Sequence, residues 1–193
     1  MYSDNLRNSL IFFADFGIDS LIDVPCGDFN WVKELDLTAI NYVGLDSSSH
    51  IIKELRSKHP SHIWIQFDVL SDQLPFSKFV LMRDLLVHLS NEEIESALAN
   101  VIRSGSIYLA VTNFSGVNFN LDFTRHHYRK RVYWRPINLQ LEPFNFPPPV
   151  IRIFEEFKGN AQYQDKCLDI YRIKDLSLHK FNSEYDPASP ELN

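Results

Sequence analysis

The chain is 193 residues long with a mass of 22.6 kDa, enough to bury one core without help from metal or disulfides. Hydrophobic residues make up 45% of it and charged residues 23%, and 15 Phe stand beside 8 Tyr, which excludes a disordered chain. The formal charge of -6 excludes a general nucleic-acid binder, because neutralising phosphates takes a basic surface.

In chain order, residues 4–16 carry helical spacing. Their apolar run, Leu10 to Ala14, is cut short by Asp15 and preceded by Asp4, so it is neither a signal peptide nor a membrane span. A reducing, cytoplasmic setting is the expectation. Strands are predicted over 20–26, 41–46, 63–68, 78–84 and 106–112, each an apolar, β-branched run. Between them, 29–37, 48–59 and 91–103 have helical periodicity. Pro60 stops the second of these, Ser90-Asn91-Glu92-Glu93 forms a capping box at the start of the third, and Gly105 follows its end. Alternating strands and helices predict an α/β fold with a parallel sheet. Beyond Thr112 the alternation breaks into a long, aromatic, proline-rich connection over 114–149, followed by strands at 150–157 and 166–173 that suit an antiparallel hairpin. One domain over 1–176 with a loose tail over 177–193 is the expected organisation.

The chemistry gathers at strand ends. Asp23, Asp46, Asp68 and Asp84 each close a predicted strand or stand beside its end, and in a doubly wound sheet those ends share the edge where ligands bind. The first strand runs into a Pro25-Cys26-Gly27 turn, which lets backbone N–H groups approach a ligand closely. Asp46 lies about one βαβ repeat further on, where a carboxylate can accept both hydroxyls of a ribose, and Asp68 can accept from an adenine amino group. A dinucleotide needs Gly-x-Gly-x-x-Gly, yet Gly27 is alone between Pro25 and Phe29, and no Walker loop is present. An adenosyl ligand without phosphates, such as S-adenosylmethionine, fits better.

Asp23-Val-Pro-Cys-Gly-Asp-Phe-Asn-Trp31, Tyr42-Val-Gly-Leu-Asp46, Phe67-Asp-Val69, Arg83-Asp-Leu-Leu-Val-His-Leu89 and Trp134-Arg-Pro-Ile-Asn-Leu139 together resemble the class I S-adenosylmethionine-dependent methyltransferases. The likeness points to the subgroup whose first motif reads Asp-Val-Pro-Cys-Gly-Asp. It implies a Rossmann-like, seven-stranded sheet, six strands parallel and one antiparallel, with helices on both faces. It also implies S-adenosyl-L-methionine as cofactor, S-adenosyl-L-homocysteine as product, and a cofactor site drawn from Asp23, Pro25, Cys26, Gly27, Asp46, Ser47, Asp68, Val69 and Arg83. Asp23 and Gly27 would hold the methionine part, Asp46 the ribose, Asp68 and Val69 the adenine. Arg83 and Asp84 would flank the methionine groups or the sulfonium. Many relatives carry additional N-terminal residues that cover the cofactor, whereas only a short predicted helix precedes the first motif here.

Methyl transfer from a sulfonium is an in-line displacement that rests largely on alignment in a dry pocket. An alcohol acceptor must also lose a proton, and Asp84 and His88 are the candidate bases. The cationic stretch 125–135 suits an anionic acceptor, with Trp134, Arg135 and Asn138 as candidate acceptor contacts and 143–147 as a stiff cover. The adjacent His126 and His127 project differently, and Cys26 and Cys167 are isolated, so no metal is expected. A methyltransferase acting on a small-molecule hydroxyl, that of a sugar or polysaccharide building block, is the leading reading. An RNA methyltransferase and a non-catalytic methyltransferase-like binding subunit are the alternatives, and no membrane span is expected.

Overall fold

The computed structural model describes residues 15–123, 134–155 and 164–177. Within them run β1 (Ser20–Asp23), β2 (Asn41–Asp46), helix α1 (Ser49–Lys58), β3 (Ile63–Gln66), β4 (Phe79–Met82), helix α2 (Asn91–Arg103), β5 (Tyr108–Phe114), β6 (Ile151–Phe154) and β7 (Lys166–Arg172). The strands form one seven-stranded sheet in the order β3-β2-β1-β4-β5-β7-β6. The pairs from β3 through β5 are parallel, and β7 runs antiparallel to both of its neighbours. The expected late hairpin is present, but its second strand, not its first, lies against β5. β1 sits between β2 and β4, so the order reverses there and opens a crevice at the carboxyl edge.

Side-chain alternation divides the core between the two faces. Ile22, Val80, Met82, Leu109 and Val111 lie under Ile94, Ala97, Leu98 and Val101 of α2. Leu21, Tyr42, Trp64, Phe79, Leu81 and Ala110 face the other way, with Ile52 and Leu55 of α1. Both helices start as the sequence predicts. The Ser48 hydroxyl accepts the Ile51 N–H at 3.3 Å. At α2, Ser90 Oγ accepts from Glu93 N at 3.2 Å while Glu93 Oε2 accepts from Ser90 N at 2.8 Å. Gly105, at φ +69, takes the left-handed turn beyond the C-terminus.

The helix predicted over 29–37 does not form; only a 3-10 turn, Val32–Glu34, is present. Phe29 is the reason. It stands at φ +62, outside any right-handed helix, with its ring packed against Tyr42, His59, His62 and Trp64 at centroid distances of 5.2, 5.1, 5.3 and 4.9 Å. Asp28 and Asp36 also take the N–H groups of Asn30 and Thr38 at 3.1 and 3.0 Å, and such local bonds compete with a helix. Within this cluster, the Trp64 ring lies where a Cβ on Gly44 would stand, with Cys26 Cβ at 3.1 Å. Gly44→Ala is therefore expected to destabilise the fold by about 1–3 kcal/mol through overpacking. A urea midpoint equal to wild type would show that the indole has room to move.

Other boundaries shift for definable reasons. Ser106 leaves the predicted fifth strand because its hydroxyl accepts the Ser77 N–H at 3.0 Å, while β5 continues to Phe114, opposite Lys166 of β7. Residues 134–149 run largely across the α2 face. Ile137, Leu139, Phe144 and Phe146 are buried there, and Phe146 packs edge-on to Tyr171 at 5.3 Å, so the predicted cover over 143–147 contributes core side chains. Polar ties fix this segment to the sheet. Asn113 Oδ1 accepts the Leu139 N–H at 2.8 Å, and its amide donates to the fully buried Asp169 at 2.9 Å. Arg152 clasps Asp169 with two bonds of 2.7 and 2.8 Å and reaches Gln140 at 2.6 Å. The predicted helix over 4–16 falls almost wholly outside the described residues, as do the tail beyond Ser177 and the cationic stretch through residue 133.

Candidate functional site

The chain leaving β1 drops into the crevice between β2 and β4. Val24 N–H bonds Leu81 O of β4 at 2.9 Å, and Cys26 N–H bonds Leu45 O of β2 at 2.8 Å. Gly27 follows at φ +52, a conformation that glycine adopts without strain, and a Cβ there would meet nothing within 4 Å. The backbone at Gly27 is thus open to close approach. The Cys26 side chain turns the other way, into the core, and burial pushes its thiol pKa far up, so the residue offers the site only backbone. Pro25 is half-buried beside it.

Two buried carboxylates flank this turn. Asp46 ends β2, accepting the Gly27 N–H on Oδ2 at 3.1 Å and the Ser48 N–H on Oδ1 at 2.8 Å. Each oxygen has a second lone pair, so a diol can still be received. Asp23 ends β1 and is 1% exposed, its Oδ2 accepting from the Tyr42 hydroxyl at 2.8 Å. Burial pushes the Asp23 pKa up to about 7, against the downward pull of that hydroxyl and of the Arg83 charge. Burial and the neighbouring Asp23 raise the Tyr42 hydroxyl strongly, so Tyr42 is a donor.

Ser47 is exposed, and its carbonyl takes the Gln66 amide at 3.3 Å, tying β2 to β3. Asp68 lies two residues beyond β3 on an exposed turn. Its Oδ1 accepts the Leu70 N–H at 3.0 Å, and its own N–H donates to Asp72 at 2.8 Å. Val69 is buried beneath it. A side chain absent from the expected set pins this turn: Asn100 of α2, whose amide reaches Val69 O and Asp72 O.

On the other flank of the crevice stand Arg83 and Asp84. Arg83 grips Glu155 through Nε and Nη2 at 3.0 and 2.8 Å, and its guanidinium lies 5.1 Å from the Trp31 ring centre. Glu155 follows β6, two strands beyond β5, so the pair spans roughly 14 Å of sheet edge at about 4.8 Å per strand. Asp84 sits at φ +58, held by its N–H to Thr112 Oγ1 at 2.9 Å. Lys166 Nζ meets the two Asp84 oxygens at 2.7 and 2.8 Å and Glu155 at 3.2 Å. Lys166 and Glu155 were not in the expected set. The one signal for Lys166 is a charge at the first position of a strand that buries Cys167, Ile170 and Tyr171.

The two candidate bases, Asp84 and His88, are not joined by a regular α-helical turn. The segment is a left-handed residue followed by a 3-10 turn, Leu86–His88, and His88 is exposed at its end. The expected acceptor contacts also have other duties. Arg135 is buried and donates to Leu89 O at 2.6 Å, to Leu121 O, and to Asn91 Oδ1 at 2.6 Å. Asn138 donates to Val117 O at 3.1 Å, and Trp134 stands edge-on to Phe114 at 5.6 Å. Packing and backbone ties hold these three where an acceptor contact was expected. His126 and His127 lie outside the described residues. Among the described residues, no group of three His, Cys, Asp or Glu is placed to hold a metal, and no helix is long and apolar enough to cross a membrane.

No protein-family model and no curated protein matches the sequence. Solved structures do match the fold. N-methyltransferase NodS from Bradyrhizobium japonicum WM9, in complex with S-adenosyl-L-homocysteine, is similar at a TM-score of 0.60 and 12% identity, over 86% of this chain and 85% of that one. Magnesium protoporphyrin IX methyltransferase (ChlM) from Synechocystis PCC 6803, with bound S-adenosylmethionine, gives 0.57 at 13% identity over 86% and 77%. A TehB-like S-adenosylmethionine-dependent methyltransferase from Corynebacterium glutamicum ATCC 13032 gives 0.52 at 16% identity over 81% and 80%. With this strand order and these likenesses, the chain has the class I S-adenosylmethionine-dependent methyltransferase fold.

Proposed function

We propose that the chain is an S-adenosylmethionine-dependent methyltransferase acting on a small-molecule hydroxyl. One observation carries the reading: an open, left-handed glycine at the switch point lies between two buried carboxylates at the ends of β1 and β2. That donor and acceptor set suits an adenosyl amino acid. Asp46 receives the ribose hydroxyls, Gly27 allows close approach of the methionine part, and Asp23 faces its ammonium. Asp68 and Val69 take the adenine, and Ser47 and Pro25 border the site. When bound, the cofactor supplies an electrophilic methyl group.

The chain's own part is alignment, water exclusion and proton removal. Asp84 is the proposed proton acceptor: it is presented by a strained backbone, and its carboxylate is oriented by Lys166, Thr112 and Arg83. His88 is the alternative base. The hydroxyl of a sugar building block fits a polar edge on which cations and carboxylates alternate. Trp134, Arg135 and Asn138 then support the acceptor side through the segments they hold.

Calorimetry with S-adenosylmethionine, S-adenosylhomocysteine and NAD tests the cofactor; failure of both adenosyl ligands to bind overturns the proposal. For the base, Asp84→Asn is expected to lower methyl transfer from labelled cofactor to a sugar panel about 10²- to 10⁴-fold with little change in cofactor affinity. His88→Ala takes that loss if the imidazole is the base. Full activity in both variants removes them from proton transfer.

A further inference from the structure

Asn100 lies in the last turn of α2 and is 4% exposed. All described bonds of its side chain cross to a single loop. Its Nδ2 donates to Val69 O at 2.8 Å and to Asp72 O at 2.6 Å, and its Oδ1 accepts the Leu74 N–H at 3.0 Å. Both amide hydrogens and one carbonyl lone pair are therefore committed to the turn after β3. The turn is also closed on itself: the Ser71 and Asp72 N–H groups reach Asp68 O at 3.2 and 2.8 Å, and Asp72 Oδ2 accepts the Asp68 N–H. Asp68 Oδ1 takes the Leu70 N–H, which leaves Oδ2 uncommitted among the described residues.

A buried amide in an apolar helix face is costly unless every polar atom is bonded, and here each bond fixes the pose of one carboxylate at the ligand edge. No helix intervenes in the chain between β3 and β4, so the bonds from Asn100 are the stretch's tie to a helix. We infer that Asn100 is a positioning residue that sets the site's selectivity for the base, holding the 68–74 turn so that Asp68 distinguishes an adenine amino group from a carbonyl. This rests on the adenosyl reading of the crevice.

The probes are S-adenosylhomocysteine and S-inosylhomocysteine, which differ on one edge of the base: an amino group beside an unprotonated N1 against a carbonyl beside an N1–H. Wild type should prefer the adenosyl compound by about tenfold or more, the scale of one hydrogen bond to a charged group. Asn100→Ala should lower adenosyl affinity and bring the ratio of the two towards one. A purely structural role would weaken both ligands alike and leave the ratio unchanged, which overturns the inference. Should that variant fail to melt cooperatively, Asn100→Ser carries the same test with a smaller void. Wild type supplies an independent arm: amide exchange at Leu70 and Leu74 should slow more with the adenosyl than with the inosyl compound, and equal protection also overturns it. Failure of S-adenosylhomocysteine to bind wild type sinks the cofactor reading itself, whereas binding with an unchanged ratio in folded variants sinks only the role of Asn100.

Discussion

Asp46→Ala is expected to weaken S-adenosylmethionine and S-adenosylhomocysteine binding by at least about 100-fold, measured by calorimetry against wild type. Two losses combine. A carboxylate that accepts two ribose hydroxyls contributes roughly 1.5–3 kcal/mol for each, and about 1.4 kcal/mol is a tenfold change in affinity. The same carboxylate also holds the Gly27 N–H at 3.1 Å and the Ser48 N–H at 2.8 Å, so its removal frees the turn that shapes the site. Asp46→Asn separates the two effects, since an amide oxygen can retain one backbone bond but cannot receive both hydroxyls. Binding of the adenosyl ligands by Asp46→Ala at wild-type strength would refute the ribose assignment.

The second large effect concerns pH and centres on Asp23. Its pKa is raised from 3.8 in the unfolded reference to about 7 in the fold, so the folded state holds a proton that unfolding releases. The favourable contribution is complete below pH 3.8 and is lost as pH rises to about 7. Across that window the apo protein should lose roughly 4 kcal/mol relative to Asp23→Asn, whose neutral side chain does not titrate. Chemical denaturation of both proteins at pH 5 and pH 8 reads the part of it above pH 5, roughly 2.7 kcal/mol; parallel profiles would show that Asp23 is already ionised in the fold. The sign carries over to ligand binding. A ligand ammonium facing Asp23 favours the carboxylate, so cofactor uptake near pH 6 should release a proton in wild type and none in Asp23→Asn. Titrations in buffers of different ionisation enthalpy count that proton.

Much of the candidate site's frame was legible along the chain because it is built from strand ends. Asp23, Asp46 and Gly27 follow runs whose hydrophobic pattern declares them strands, and a parallel sheet brings such ends together whatever the loops do. The Ser90 capping box and Gly105 were equally plain, since a helix terminus depends on residues three or four apart. The 29–37 segment misled because its period is helical while Phe29, Asp28 and Asp36 are each satisfied by something other than a helix. Arg135 and Asn138 misled in another way. Polar residues within a motif suggested ligand contacts, but the backbone of 114–123 runs beside them and consumes their donors.

Composition, hydrophobic period and strand-end chemistry thus determined the α/β class and the sheet edge on which Asp23, Gly27 and Asp46 meet, all properties of short stretches of chain. Tertiary structure alone decided which distant side chains meet there. Glu155 reaches Arg83 across two strands, Lys166 reaches Asp84 because β7 inserts beside β5 in reverse, and Asn100 reaches the 68–74 turn from α2. Such contacts join residues from 26 to 82 positions apart, and only sheet order and register bring them within hydrogen-bond range.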